Sequence, residues 1–304
     1  MPSFATEVKN ELSRVVLKKQ CCQDAELAAL SRMRASMTLG AHMNLGLNFT
    51  TENAAVARRI LQLLKATGQV VPEVTVSRSK RLKKKNSGFL RVAPSPQARP
   101  LLEKLGIIGD DAIVGTDKRL LKKACCRRAY LRGAFLGGCT VNRPEASCHL
   151  EMVTGNYAFA DTLLRLLRNV ELPAGVTDRK NNYQIYIKDG ECIMDFLAMI
   201  GADKAVEELE VARNLKEVRN QVNRLVNCET ANLQKTVAAA IAQRQAIQSL
   251  QEQGKLAGLP AKLQETVAVR LANPEMSLAE LAELLGVTKS CISHRLKKIA
   301  NMVE

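Results

Sequence analysis

The chain has 304 residues, 46% of them apolar, which is enough for two or three domains with cores of their own. Aromatic residues make up 3% and tryptophan is absent, which argues against base stacking as the main grip on single-stranded nucleic acid. The net charge of +15 and the pI near 9.6 attract polyanions, and without a secretory leader or an apolar run of bilayer length a membrane is left with peripheral contact at most.

The first repeat opens on a helix, "DAELAALSRMRAS", with Asp24 as its N-cap. In "HMNLGLNFT" the alternation predicts a half-buried strand with Met43, Leu45, Leu47 and Phe49 on one face. A helix capped by Asn53 follows, "NAAVARRILQLL", then the strands "PEVTVSRSK" and "GFLRV" and a closing helix that ends "LLEKLG" at Gly106. Between those strands stand Arg78, Lys80, Arg81, Lys83, Lys84 and Lys85, predicted to form an exposed hairpin tip suited to DNA phosphates. The basic stretch "DKRLLKKACCRR", from Asp117, then leads into a second copy of the same order.

That copy begins with "KACCRRAYLRGAFLGG" and continues with "SCHLEMVT", which places Cys148, Leu150 and Met152 on one face. The helix "NYAFADTLLRLL", capped by Asn156, the strands "PAGVTDRK" and "NYQIYIK", and a helix ending "FLAMIG" at Gly201 complete it. Each repeat therefore reads α-β-β-α-β-β-α, over about residues 5–106 and 120–201 of an α+β domain spanning 1–201. Ala28, Ala29, Gly133 and Ala134 allow the two leading helices to approach closely at a pseudo-twofold axis. Two half-sheets side by side then make one broad antiparallel surface, and a domain that carries its own dyad is expected to be a monomer.

The nine cysteines include the adjacent pairs Cys21-Cys22 and Cys125-Cys126 but no C-x-x-C, so the spacing is not that of a zinc ribbon or a redox dithiol. Cys139, Cys148 and His149 are conceivable ligands. The expectation is reduced cytoplasmic thiols, with no metal and no cofactor.

After Gly201 the remaining chain reads as helix: a charged amphipathic linker over 202–226, then an all-α domain over 227–304. Its first helix ends at Gly254, and a second is opened by Pro260 and stopped at Asn273-Pro274. At 277–302, "SLAELAELLGVTKSCISHRLKKIANM" begins with the S-x-x-E capping box of Ser277 and Glu280 and turns at Gly286. Thr288 caps a second helix whose buried face is Ile292, Leu296 and Ile299. This is a helix-turn-helix pattern for double-stranded DNA. Lys289, Ser290 and Ser293, early on the second helix, are candidates for base edges or nearby phosphates, and Thr288 beside them is a further candidate DNA-binding residue. His294, Arg295, Lys297 and Lys298 are candidates for backbone phosphates.

The duplicated half resembles the LAGLIDADG homing endonucleases, with "LAALSRMRA" from Leu27 and "LRGAFLGGC" from Leu131 as the motif helices. In that family the eighth motif position is an acidic metal ligand. Here those positions are Arg34 and Gly138, so no catalytic residue is expected and the chain is read as not an enzyme. A degenerate repeat of this kind followed by a helix-turn-helix resembles the WhiA family along nearly the whole chain, through "SFATEVKNEL", "YLRGAFLGG", "NCETANLQKT" and "SHRLKKI". Ala35 departs from the glycine usual in the family. The resemblance implies a sequence-specific DNA-binding regulator of cell division and chromosome segregation, and of sporulation where it occurs. It also implies a nucleoid-associated cytoplasmic location in a Gram-positive bacterium and transcription machinery as a further partner. The competing readings are an active endonuclease and a ligand- or protein-binding scaffold.

Overall fold

A computed structural model describes residues 2–67, 70–77, 87–109, 112–113, 118–179 and 182–303. The chain divides into two compact units, Met1–Lys216 and Glu217–Glu304.

In the first unit α1 (Phe4–Leu12) is capped by Ser3 and buries Phe4, Val8 and Leu12. The first repeat then runs α2 (Gln20–Arg34), β1 (Ala35–Leu39), β2 (Leu45–Thr51), α3 (Ala54–Thr67), β3 (Glu73–Ser77), β4 (Ser87–Val92) and α4 (Ala98–Lys104). A two-residue strand pair, β5 (Ile108–Gly109) and β6 (Ala112–Ile113), lies before the second repeat. That repeat runs α5 (Ala124–Gly138), β7 (Cys139–Val141), β8 (Leu150–Thr154), α6 (Tyr157–Arg168), β9 (Gly175–Arg179), β10 (Asn182–Ile187) and α7 (Gly190–Ile200). Both copies have the predicted α-β-β-α-β-β-α order.

The sheets have the same wiring, β1-β2-β4-β3 and β7-β8-β10-β9, all antiparallel. They are two separate four-stranded sheets rather than one hydrogen-bonded surface. Phe49 stands between Ala35 and Leu90, and Met152 between Cys139 and Ile185, so the two copies also share their register. Both Phe49 and Met152 are fully buried. The predicted caps form: Asn53 Oδ1 accepts from the Ala55 and Val56 amides, and Asn156 Oδ1 from the Phe159 amide.

Helices α2 and α5 pack along one another at the centre of the unit, with Ala28, Ala29 and Ala134 fully buried. The contact is closest at Gly133, where a Cβ would run into the Glu26 carbonyl and crowd the Ala29 Cβ. Beside this crossing Glu26 is fully buried between two arginines, Arg59 at 2.6 Å and Arg132 at 3.2 Å. Arg59 also donates to the Val15 carbonyl and Arg132 to the Ile200 carbonyl, so one carboxylate ties α2 to α3, α5 and the end of α7.

Three expectations about single residues also need correction. Asp24 is no N-cap: α2 starts at Gln20, and the buried Asp24 accepts from the Gln20 side chain and pairs with Lys104 of α4 at 3.0 Å. Met43 is 77% exposed with φ +57, because a turn closed by the Gly40 amide on the Asn44 carbonyl delays the alternation until Leu45. Cys148 is exposed as well, in the turn before β8 that Asn142 closes on Ser147 and His149.

Helix α8 (Asp203–Glu252) begins in the first unit, where Glu11 accepts from the Lys204 and Ala205 amides, and ends in the second. It is a single helix where the sequence reading divides the stretch at Asn227, and no glycine or proline interrupts it. The second unit adds α9 (Ala261–Ala272), α10 (Leu278–Leu284) and α11 (Lys289–Ala300). Its core is Ile247 and Leu250 of α8, Leu259, Leu263 and Val267, Leu281 and Ala282, and Ile292, Leu296 and Ile299. No helix among the described residues is long and apolar enough to cross a membrane.

Candidate nucleic-acid interface

Two places could meet nucleic acid: the C-terminal ends of α2 and α5, where a LAGLIDADG nuclease holds its acids, and the helix-turn-helix. At the first, Arg34 and Gly138 are the last residues of their helices. The Arg34 Nε donates to the Gly137 carbonyl, placing a cation on the partially negative end of α5. Met33 fills the remaining space: a Cβ on Gly137 or Gly138 would collide with its side chain. Lys9 lies close to Arg34 and Cys139, and burial pushes its ammonium below the usual lysine range. An arginine, a glycine and a thioether thus stand where hydrolysis needs carboxylates, and these residues do not fit a catalytic divalent metal.

The hairpin residues Arg78, Lys80, Arg81, Lys83, Lys84 and Lys85 lie outside the described residues. The strands flanking them pair out to Ser77 opposite Ser87.

The helix-turn-helix is built from local signals. The Ser277 Oγ accepts from the Glu280 amide while Glu280 Oε2 accepts from the Ser277 amide at 2.7 Å, a closed capping box. These contacts hold the exposed Glu280 carboxyl below its ordinary range. At the other end of α10, Gly286 has φ +63, its amide donates to Glu283, and the Val287 amide donates to Ala282. This pair closes the helix in a left-handed cap and reverses the chain. Thr288 Oγ1 then accepts from the Cys291 amide and starts α11.

At about 100° per residue, α11 splits cleanly in two. Ile292, Leu296 and Ile299 are buried, while Lys289, Ser290, His294, Lys297 and Lys298 are exposed and Ser293 is half-buried among them. Thr288 stands exposed at the N-terminal end of this face with its hydroxyl already engaged in the cap. Arg295 is different: half-buried at the edge, it donates to the Lys262 carbonyl and the Thr266 hydroxyl and so fastens α11 to α9.

Sequence reasoning did not find Arg270 of α9, which is 2% exposed and donates to the Met276 carbonyl at 2.5 Å. Burial, with Arg244 adding to it, lowers its pKa from the usual arginine value. It fixes the segment that leads into the capping box, and nothing in its sequence context sets it apart from the many surface arginines. The "NCETANLQKT" run, residues 227–236, lies on α8 with every residue exposed except the half-buried Thr236 and none of them in either core.

A duplicated LAGLIDADG-like domain that has lost its acidic pair, followed by a helix-turn-helix with a polar, basic second helix, defines the class of protein. The WhiA N-terminal LAGLIDADG-like domain matches residues 20–108, the WhiA LAGLIDADG-like domain residues 127–219 and the WhiA C-terminal HTH domain residues 222–303. The chain is 46% identical over 307 residues to the probable cell division protein WhiA of Desulforamulus reducens, covering 99% of this chain and 95% of that one. It is 44% identical over 308 residues to the protein of the same name from Brevibacillus brevis, covering 99% and 96%. Among solved structures it is similar to full-length DUF199/WhiA from Thermatoga maritima, with a TM-score of 0.63 and 28% identity over 99% of this chain and 98% of that one. The chain belongs to the WhiA family.

Proposed function

We propose that this chain is a sequence-specific DNA-binding regulator that acts in cell division, with its duplicated domain serving as a non-catalytic platform. The observation that carries the reading is the outer face of α11. Lys289, Ser290 and Ser293 are assigned to base edges and nearby phosphates, with Thr288 at the entry to the groove, and His294, Lys297 and Lys298 to the backbone. A helix of 12 residues, about 18 Å long, has the length to lie in the major groove. Arg295 is assigned first to holding α11 in place and only second to phosphate. The net charge of +15 and the names of the relatives support the same reading, and Arg78, Lys80, Arg81, Lys83, Lys84 and Lys85 are assigned to backbone phosphates. The action is placed in the cytoplasm, on the nucleoid of a Gram-positive bacterium, with the transcription machinery as a further partner.

Chromatin immunoprecipitation of the full chain tests the reading. Discrete enriched sites sharing a sequence, lost in a Lys289→Ala/Ser293→Ala variant, support it, whereas uniform or absent enrichment refutes it. Incubation with plasmid and Mg²⁺ should leave the DNA uncut, because Arg34 and Gly138 supply no carboxylate.

A further inference from the structure

The sequence carries one block twice: "KKQCC", with Lys18, Lys19, Cys21 and Cys22, and "KKACC", with Lys122, Lys123, Cys125 and Cys126. The fold brings the two copies together. Cys21 and Cys22 are the second and third residues of α2, and Cys125 and Cys126 the second and third of α5. Their backbones match: the Cys22 amide donates to the Lys19 carbonyl and the Cys126 amide to the Lys123 carbonyl, each at 3.0 Å. The four Sγ atoms all lie within 4.8 Å of one another, with Cys22 and Cys126 buried and Cys21 and Cys125 half-buried.

We propose that these four cysteines form a tetrahedral thiolate site for one thiophilic divalent ion, zinc, which ties the two repeats together at the N-terminal ends of α2 and α5. A zinc–sulfur bond of about 2.3 Å sets the edges of a tetrahedron of sulfurs at about 3.8 Å, so the cluster needs to contract by about 1 Å or less. A polynuclear iron–sulfur core does not suit this spacing, since its own sulfides have to sit between the cysteines. The charge fits too: four thiolates around a divalent ion leave a net dianion, set at the positive ends of two helices and beside Lys18, Lys19, Lys122 and Lys123.

Cys22 and Cys126 are buried, and binding the ion requires the four thiols to give up their protons. The site lies at the opposite end of the helix pair from Arg34 and Gly138, so it is distinct from the nuclease position and has a structural role.

The test is elemental analysis of the full chain purified under reducing conditions with zinc supplied. About one zinc per chain is expected. Cobalt substituted into the wild-type protein should show sulfur-to-metal charge transfer and tetrahedral ligand-field bands. Cys22→Ser with Cys126→Ser should lose the metal and lower the thermal midpoint by about 5 °C or more. Cys148→Ser with Cys228→Ser, at exposed positions, should change neither. A metal content near zero after zinc reconstitution, or a disulfide among the four in the purified chain, overturns the proposal. The cobalt spectrum of the wild-type protein decides the matter even if the Cys22→Ser, Cys126→Ser variant does not fold.

Discussion

Replacing Glu26 with alanine should be among the most damaging single changes in the duplicated domain. The carboxylate is fully buried, and the side chains of its partners Arg59 and Arg132 are 7% and 8% exposed. Each guanidinium keeps one backbone acceptor, Val15 at 2.7 Å and Ile200 at 2.6 Å, but among the described residues no other anion, and the Arg59 Nη2 has no partner there. Removing one side of a buried ion pair costs about 3–5 kcal/mol because the opposite charge stays buried. Here two charges are stranded and α2, α3 and α5 lose a shared tie, so the upper half of that range applies. For a domain of this size about 4 kcal/mol corresponds to a fall in melting temperature of about 8–16 °C. Circular dichroism melts of wild type and Glu26→Ala read the shift directly. The control replaces the whole triad, Glu26→Met with Arg59→Met and Arg132→Met, which leaves no stranded charge and should recover most of the loss. A Glu26→Ala cost below about 1 kcal/mol would mean that solvent compensates the arginines, and the reasoning would be wrong.

Other perturbations separate the remaining elements. Gly133→Val should unfold or strongly destabilise the domain, since even a Cβ there meets the Glu26 carbonyl; a melting temperature equal to wild type contradicts the close helix crossing. Ser277→Ala should cost the second unit about 1 kcal/mol in denaturant unfolding, the usual loss for a capping hydroxyl. Glu280 titrates below its ordinary range, so its stabilising contribution is complete above the ordinary glutamate pKa and fades as pH falls through the lowered value. Glu280→Gln should flatten that part of the acid-unfolding curve, and an unchanged curve would count against the capping box. Arg295→Ala should loosen α11 on α9 and lower stability and DNA affinity together, whereas Lys297→Ala should affect affinity alone; a stable Arg295→Ala protein with only a binding defect would reassign that arginine to phosphate.

Most of the architecture is written locally and is therefore readable from the sequence. The caps at Asn53, Asn156, Ser277 and Thr288 and the reversal at Gly286 each rest on contacts within a few residues. The duplication adds a second reading of every element, which is why the order of helices and strands could be anticipated in both copies. Contacts between distant segments are a different matter. Glu26 meets Arg59 and Arg132 only because α2, α3 and α5 converge, and nothing around any of the three marks it as buried. Arg34 could be read as a missing acid but not as a donor to Gly137, which depends on the helix crossing. The cysteines illustrate the limit most plainly. Motif spacing within one segment argues against a zinc ribbon, yet the pseudo-dyad assembles four sulfurs from two segments. The signal that could have found them is the repeated K-K-x-C-C block, read together with the expected pairing of the two leading helices. Asp24 is an error of the same origin, since its partner Lys104 lies on a helix that local pattern cannot place beside it.

The central claim is that α11 reads DNA. It is tested most directly by fluorescence anisotropy of the full chain on a genomic fragment recovered by immunoprecipitation and on a scrambled duplex, each over a range of salt. Lys289→Ala with Ser293→Ala should reduce the preference for the specific fragment about tenfold or more, the discrimination expected from base-edge contacts. Lys297→Ala with Lys298→Ala should weaken both duplexes alike and reduce the salt slope by about 2. Wild-type affinity, preference and salt slope in both variants would contradict the account and move the DNA-binding surface to another part of the chain.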